Sequence, residues 1–383
     1  MPEHSPTCQS PRAKRGARPA GRVLGGLAIL SLMVLASSGS AVHAYVPDYT
    51  LVSPSVETDP MPDSGDSADD PAVWPHPTDP ARSLVLVNNK QGSLDVYNLS
   101  GALVQRINDG TPFWGNVDVR TAVTVGQTTR DLVAVAHRGI QFYGVDPASR
   151  RLASVTEGTS ISSAGEGLCL YRSATSGRTY VFIITRAGLL RQYAITDNDA
   201  DGRWEGSQVR SLQVGSEAEG CVADDATGDL YVAEEDVALW RYDAEPGGGS
   251  SRRVVDGVHG TARGGALAAD VEGVTLLDAG RAGKWVIASA QRVANPSSSY
   301  FVAYRVLPGG GWAFDRAFRV GDGPSADDCD KTDGITVYHG NLGAAFPHGL
   351  FACQDNSNRT GSTQRNQDVK LVPIERIFAE AAR

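Results

Sequence analysis

"EAEGCVADDATGDLYVAEEDVALWRYD", residues 217–243, is a chain of short apolar segments bracketed by acids. Glu219 opens the first segment, a turn follows at Thr227-Gly228-Asp229, and "DLYVAEE" and "VALWRYD" read as the next two strands. The opening acid-Gly pair recurs. Glu166-Gly167-Leu168 lies 53 residues earlier, Glu272-Gly273-Val274 lies 53 later, and Asp333-Gly334-Ile335 lies 61 beyond that. Working backward, Asp118 in "GNVDVR" precedes Glu166 by 48 residues, and Asp70 in "DSADDPAVW" precedes Asp118 by another 48. Six acids, each opening an apolar strand at a spacing near 50, carry the rhythm of a propeller blade of four strands.

The fold expected is therefore all-β, a six-bladed β-propeller. "TYVFIIT" and "KWVIASA" supply further second strands, and "LLRQYAI" and "YFVAYRV" further third strands. Only the tail "IERIFAEAAR" reads as a short helix. "YTLVSPSV", near residue 50, is expected to add a strand that closes the ring with the last blade.

The first 44 residues stand apart. Arg12, Lys14, Arg15, Arg18 and Arg22 precede the apolar run "VLGGLAILSLMVLASSGSAVHA", the pattern of a secretory signal peptide with cleavage expected after Ala44. Its strongly apolar part is short for a membrane span. Residues 45–383 then form a single domain holding 30 Lys and Arg against 43 Asp and Glu, a net charge of −13. That balance argues against nucleic-acid binding and is compatible with cation binding. A secreted monomer without membrane attachment is expected. Cys169, Cys221, Cys329 and Cys353 allow three disulfide pairings or buried free thiols; Cys329 and Cys353 are close enough in sequence to staple neighbouring strands.

In a propeller the first strand of each blade lines the central channel, so Asp70, Asp118, Glu166, Glu219, Glu272 and Asp333 are expected to form a ring at one mouth. Asp66, Asp69, Glu235 and Asp270 add acid to the same rim. One acid-Gly pair is ordinary turn chemistry; six in register argue for a metal ring. Crowded carboxylates repel unless cations neutralise them, and oxygen-only ligands favour Ca²⁺ or Mg²⁺, here several Ca²⁺ ions. Bound ions turn an acidic rim into a receptor for phosphate oxygens. Lys90, Arg138 and Arg186 each end a second strand and are placed to contact phosphate. Asp224, Asp225 and Asp229, at the far turn, read as solvating acids. "CQDNSNRT" has the Cys-x5-Arg spacing of cysteine phosphatases, but Asp355 would sit in the phosphate cradle and the loop lacks glycines. His137 in "AHRGIQF" reads as a strand residue.

These motifs resemble the β-propeller phytases, or alkaline phytases. "DSADDPAVW" (66–74), "GNVDVR" (115–120), residues 219–250, "ADVEGVTL" (269–276) and "KTDGITVY" (331–338) are similar to that family's motifs, in order, across roughly residues 58–380. The resemblance implies a six-bladed, calcium-dependent phosphoric monoester hydrolase of the 3-phytase type. It would cleave phytate (myo-inositol hexakisphosphate), also as calcium-phytate, by attack of a calcium-bound water or hydroxide, and release inorganic phosphate. A neighbouring site would hold a second phosphate. It implies calcium ligation by Asp69, Asp70, Glu219, Glu235, Asp270 and Glu272, with Asp66, Asp118 and Asp333 on the same rim, and phosphate contacts from Lys90, Arg138 and Arg186. Asp322, Asp355 and Asn356 resemble a separate structural calcium site. The chain departs from the family at Glu166, where some members have Tyr, at Gly115 in place of Asn, and at Gln91 in place of a second Lys. The alternatives are a calcium-dependent propeller lactonase or arylesterase, which carries fewer acids, and a noncatalytic binding propeller.

Overall fold

The structure, a computed structural model, describes residues 47–158, 161, 165–291 and 299–382. The expected signal peptide and its cleavage point lie outside the described residues. Two strands, β1 (Tyr49–Val52) and β2 (Val56–Glu57), precede the blades. Blade one is β3 (Ala68–Trp74), β4 (Leu84–Asn89), β5 (Ser93–Asn98) and β6 (Leu103–Ile107). Blade two is β7 (Trp114–Val125), β8 (Thr128–His137), β9 (Ile140–Asp146) and β10 (Arg151–Ser154). Blade three is β11 (Gly167–Arg172), β12 (Thr179–Ile184), β13 (Leu189–Thr196) and β14 (Glu205–Gln213). Blade four is β15 (Ala218–Asp224), β16 (Asp229–Glu234), β17 (Ala238–Asp243) and β18 (Arg252–Gly257). Blade five is β19 (Val271–Asp278), β20 (Lys284–Ala290), β21 (Tyr300–Leu307) and β22 (Gly311–Val320). Blade six contains β23 (Ile335–His339) and β24 (Gly349–Asp355). A small hairpin follows, β25 (Arg359–Thr360) with β26 (Thr363–Gln364), and then β27 (Asp368–Pro373) returns to the blade.

The expected six-bladed β-propeller is what the chain forms. Middle strands are buried on both faces, as β12 (TYVFII) shows at every position, because each blade packs between two others. Outer strands such as β14 expose alternate residues. The "YTLVSPSV" stretch divides. Val56 and Glu57 pair with Leu371 and Lys370 and complete blade six, while β1 adds in parallel to β22 of blade five. The tail is not one helix but two 3₁₀ turns, Ile374–Arg376 and Ala379–Ala382. Ile374, Phe378 and Ala381 sink into a cluster with Trp285 and Phe318, so tertiary packing sets the geometry there.

Two disulfides form, Cys169–Cys221 and Cys329–Cys353. The first joins β11 to β15, tying the inner strands of blades three and four across 52 residues of chain. Changing Cys169 and Cys221 together to Ser is expected to lower the unfolding free energy by about 2–4 kcal/mol, through the extra freedom returned to the unfolded chain. Denaturant unfolding measures it. An unchanged midpoint would show that sheet packing alone holds these blades.

The acids of the far turn in blade four are not solvating. Asp224 is buried and receives the Lys284 ammonium of blade five at 2.6 Å. Asp225 accepts from Arg120 of blade two at 3.1 Å and from the Arg172 backbone at 3.0 Å. Asp229 pairs with Arg241 in the neighbouring strand. Long basic side chains from other strands reach these acids, a relation that strand periodicity cannot show.

Candidate metal-dependent active site

The inner strands enter the ring through a repeated irregularity. Ala218 pairs with Glu234 and Cys221 with Val232, so Glu219 and Gly220 bulge between them. The same two-residue bulge holds Glu272-Gly273, Asp69-Asp70 and Gly115-Asn116. The glycine of one blade lies against the acid of the next. A Cβ on Gly220 would stand 2.0 Å from the Glu272 carbonyl oxygen, and one on Gly167 would stand 2.0 Å from that of Glu219. The remaining contacts are Asn116 to Glu166, Gly273 to Asp333, and Gly334 to Asp69. The acid-Gly pairs are therefore the seam at which each blade meets the next around the channel.

This seam corrects the register in blades one and two. The in-register positions are Asp69 and Gly115, not Asp70 and Asp118. Asp70 occupies the place of the glycine, and Asp118 lies three residues further along β7. The Asp118 carboxylate accepts from Arg120 at 3.0 Å and from the Leu170 backbone at 2.8 Å, so it joins blades two and three rather than the rim. Burial pushes its pKa up, and Arg120 pulls it back. The rim proper comprises Asp69, Glu166, Glu219, Glu272 and Asp333, with Gly115 completing the sixth position.

Glu219, Glu235 and Glu272 converge, with one carboxylate oxygen of each within 4.8 Å of the others. Glu235 arrives from the turn after β16, as expected from the hairpin. Burial, the other carboxylates and little else raise these acids. Glu219 is pushed well above its ordinary value by burial and by Asp69, against the pull of Lys90. Glu272 rises through burial, then Glu219 and Asp333. Burial, Glu217 and Asp270 bring Glu235 to about 7. Asp333 rises to about 6 through burial, partly offset by Lys90. Asp70 is raised by burial, Asp69, Asp118 and Glu219. Asp270 is buried beside this group, and the backbone of Gln291 donates to its carbonyl at 2.9 Å.

Lys90 reaches into the mouth. Its ammonium lies 2.6 Å from Asp333, 3.3 Å from Asp66 and 3.4 Å from Asp69. Burial alone would lower its pKa, but Asp69, Asp333, Glu219 and Asp66 outweigh that and hold it well above the ordinary value. Arg186 contacts Glu166 at 3.0 Å and Glu217 at 3.6 Å, and is largely exposed over the cavity. Arg138 is exposed in the two-residue turn between β8 and β9. Lys90, Arg138 and Arg186 thus occupy one position in blades one to three, the turn after the second strand. Blades four to six place Glu235, Gln291 and Asn356 there. The cavity holds about 270 Å³. A larger one, about 420 Å³, lies against β8 and β9 of blade two around Arg130, Asp131, Val145 and Pro147, and gathers no such set of acids.

Asp322, Asp355 and Asn356 do not converge as a carboxylate group of this kind. Asp322 is exposed, and the amide oxygen of Asn356 accepts from Gln367 at 2.6 Å. Asp355 is fully buried and faces Lys370, whose ammonium lies 3.5 Å away and also meets Asp368 at 2.9 Å, Glu57 at 3.1 Å and Asp327. Burial raises Asp355 to about 7 while Lys370 lowers it. A lysine side chain thus supplies a cation among these acids. Sequence reasoning missed Asn116, Glu217 and Gln291. Asn116, with its amide nitrogen turned inward, donates to Glu219 at 3.0 Å, and Gln291 donates to Asp333. Gln291 ends a second strand like Lys90, and that spacing was the available signal. Cys353 is in a disulfide and is no nucleophile. His137 is buried, stacked on Trp114 at 3.9 Å and bonded to Asp109 at 2.9 Å.

Two solved structures align with this chain at low identity. One is BBS1N in complex with ARL6DN, with a TM-score of 0.43 and 12% identity over 79% of this chain and 78% of that one. The other is the β-propeller domain of Cps50 (Swd1) from Myceliophteria thermophila, with a TM-score of 0.41 and 11% identity over 80% and 83%. Neither likeness bears on chemistry. The 3-phytase of Bacillus subtilis (strain 168) is 35% identical over 358 residues, covering 91% of this chain and 90% of that protein. The phytase family model matches residues 21–382, and with that extent of agreement the chain belongs to the phytase family.

Proposed function

We propose that this family member is a calcium-dependent phytase that releases inorganic phosphate from myo-inositol hexakisphosphate. The observation that carries the metal is the convergence of Glu219, Glu235 and Glu272 within 4.8 Å. Three carboxylates at that spacing are tolerable when a cation neutralises them, and their all-oxygen donor set suits Ca²⁺. Asp69 Oδ1 is buried, makes no hydrogen bond and faces only the Lys90 ammonium at 3.4 Å, which leaves it open to a further cation. Glu219, Glu235 and Glu272 would hold the ion, with Asp69, Asp70, Asp270 and Asp333 around them. When bound, calcium supplies positive charge for phosphate oxygens and Lewis acidity toward water.

The chain's own side chains account for the rest. Without cations, the carboxylates would repel a polyanion. Lys90 and Arg186 extend from the turns of blades one and three over the cavity and offer donors to phosphate; Arg138 occupies the matching turn of blade two. Glu166 and Glu217 orient the Arg186 fork. With Cys353 oxidised and His137 enclosed, direct transfer of the phosphoryl group to water is the route the residues favour, without a phosphoenzyme. Residues 1–44 would direct export, and the two disulfides support an oxidising destination.

The test is phosphate release from phytate by purified protein with calcium and with chelator, at neutral to alkaline pH. Release that requires calcium is expected. No release from phytate in the presence of calcium would sink the enzyme reading, and opening of lactones in its place would favour the lactonase class.

A further inference from the structure

The disulfide between Cys169 and Cys221 stands beside the ring of acids. Cys169 lies two residues beyond Gly167, and Cys221 directly follows Gly220; these are the glycines of the acid-Gly pairs of blades three and four. Cys221 is also where β15 rejoins β16, opposite Val232, after the bulge that carries Glu219 and Gly220. The Cα atoms of the two cysteines are 5.8 Å apart. Among the described residues no other covalent bond joins the inner strands of two blades. Cys353 is in the second strand of blade six, and Cys329 is in the segment that leads into that blade.

Like charges meet across this seam. Glu166 belongs to blade three, and Glu217 and Glu219 approach from blade four. Glu166 is among the carboxylates that raise Glu219. Arg186 offsets part of this repulsion, at 3.0 Å from Glu166 and 3.6 Å from Glu217, but it is largely exposed and screened by water. The hydrogen bond from the Arg172 backbone to Asp225, at 3.0 Å, closes only the far end of the two strands. The disulfide lies between that end and the acids, buried in one cluster with Phe182, Ala218 and Val232. A covalent bond there resists opening of the seam and is not screened by salt.

We infer that the Cys169–Cys221 disulfide positions Glu219 for calcium, so that affinity at the mouth depends on the crosslink as well as on the acids. The inference rests on the calcium-dependent reading above. The carboxylate oxygens of Glu219, Glu235 and Glu272 converge within 4.8 Å. Calcium takes oxygens at about 2.3–2.6 Å, so a ligand displaced by a fraction of an ångström binds it less well. Glu235 and Glu272 are already tied together through the backbone, because the Val271 N–H donates to the Glu235 carbonyl at 2.9 Å. The disulfide gives Glu219 its own restraint, on the side facing blade three. Order that is in place before the ion arrives is order that binding need not impose.

Cys169→Ala/Cys221→Ala tests it, with Cys169→Val/Cys221→Ala as a second variant that keeps more of the apolar volume. Each is expected to raise the calcium dissociation constant about tenfold by calorimetry, the scale of ordering one side chain, with kcat for phytate near the wild-type value at saturating calcium. Phe378→Leu is the control for general destabilisation. Phe378 packs on Trp285, at the opposite end of β20 from Gln291, and its variant should melt earlier with unchanged calcium affinity. In a Glu219→Gln background, removing the crosslink should change calcium affinity less than twofold, because its effect runs through Glu219. Unchanged calcium affinity in both crosslink-free variants would overturn the inference and leave the disulfide as a staple of the fold. An equal loss in Phe378→Leu, or additive losses with Glu219→Gln, would overturn it as well. Wild-type protein that bound calcium but released no phosphate would defeat the phytase reading alone, and calorimetry would still decide the role of the disulfide.

Discussion

Glu219→Gln is expected to lower kcat/KM for phytate by about 10²–10³-fold at fixed calcium, the scale of losing one preorganised charge-stabilising group. Glutamine keeps the shape and removes the charge. Glu219 is the member of the convergent trio that also feels Asp69, Lys90, Asp333 and Glu166, so it links the three converging carboxylates to the Lys90 ammonium. Calcium titration by calorimetry should show weakened binding, and raising calcium should recover part of the rate. Recovery would locate the defect in metal holding. An unchanged kcat/KM would place the reacting centre somewhere other than the inner ring.

Calcium removal is expected to lower the melting temperature by roughly 10 °C or more. Each site held at 100 times its dissociation constant contributes about 2.7 kcal/mol, and several sites add. The pH dependence carries a distinctive sign. Without the ion, Glu235 at about 7 and Asp333 at about 6 keep protons that the unfolded chain has already released. Glu219 and Glu272 shift in the same direction. The folded chain then binds more protons than the unfolded one, so its stability is greatest below the ordinary carboxylate range and is lost as pH rises toward 7. Calcium binding releases those protons and strengthens as pH rises. Melting curves at about pH 5 and about pH 8, with calcium and with chelator, should show a gap that widens toward the alkaline side. A constant gap would mean that the acids of the mouth are not the ones calcium engages.

The propeller was legible because four of the six inner strands carry an acid-Gly pair at the seam, and that pair repeats at blade length. Where the pair is altered, spacing misleads. In blade one Asp70 stands at the glycine position, and in blade two Gly115 stands at the acid position, so the nearest acid in sequence, Asp118, drew the register off by three. The convergence of Glu219 with Glu235 was legible because a hairpin returns its ends to one place. The partners of Asp224, Asp225 and Asp355 were not, because Lys284, Arg120 and Lys370 come from other strands, and in two cases from other blades.

Blade six is completed by the beginning of the chain: β27 carries β2 along its outer edge, joining residues more than 300 apart, as Val369 and Thr58 do through a hydrogen bond separated by 311 positions. A growing polypeptide therefore holds β2 unpaired until its last strand exists, and the final closure waits for the whole length to be made. Such late, long-range pairing slows the last step of folding and leaves an open sheet edge in the meantime.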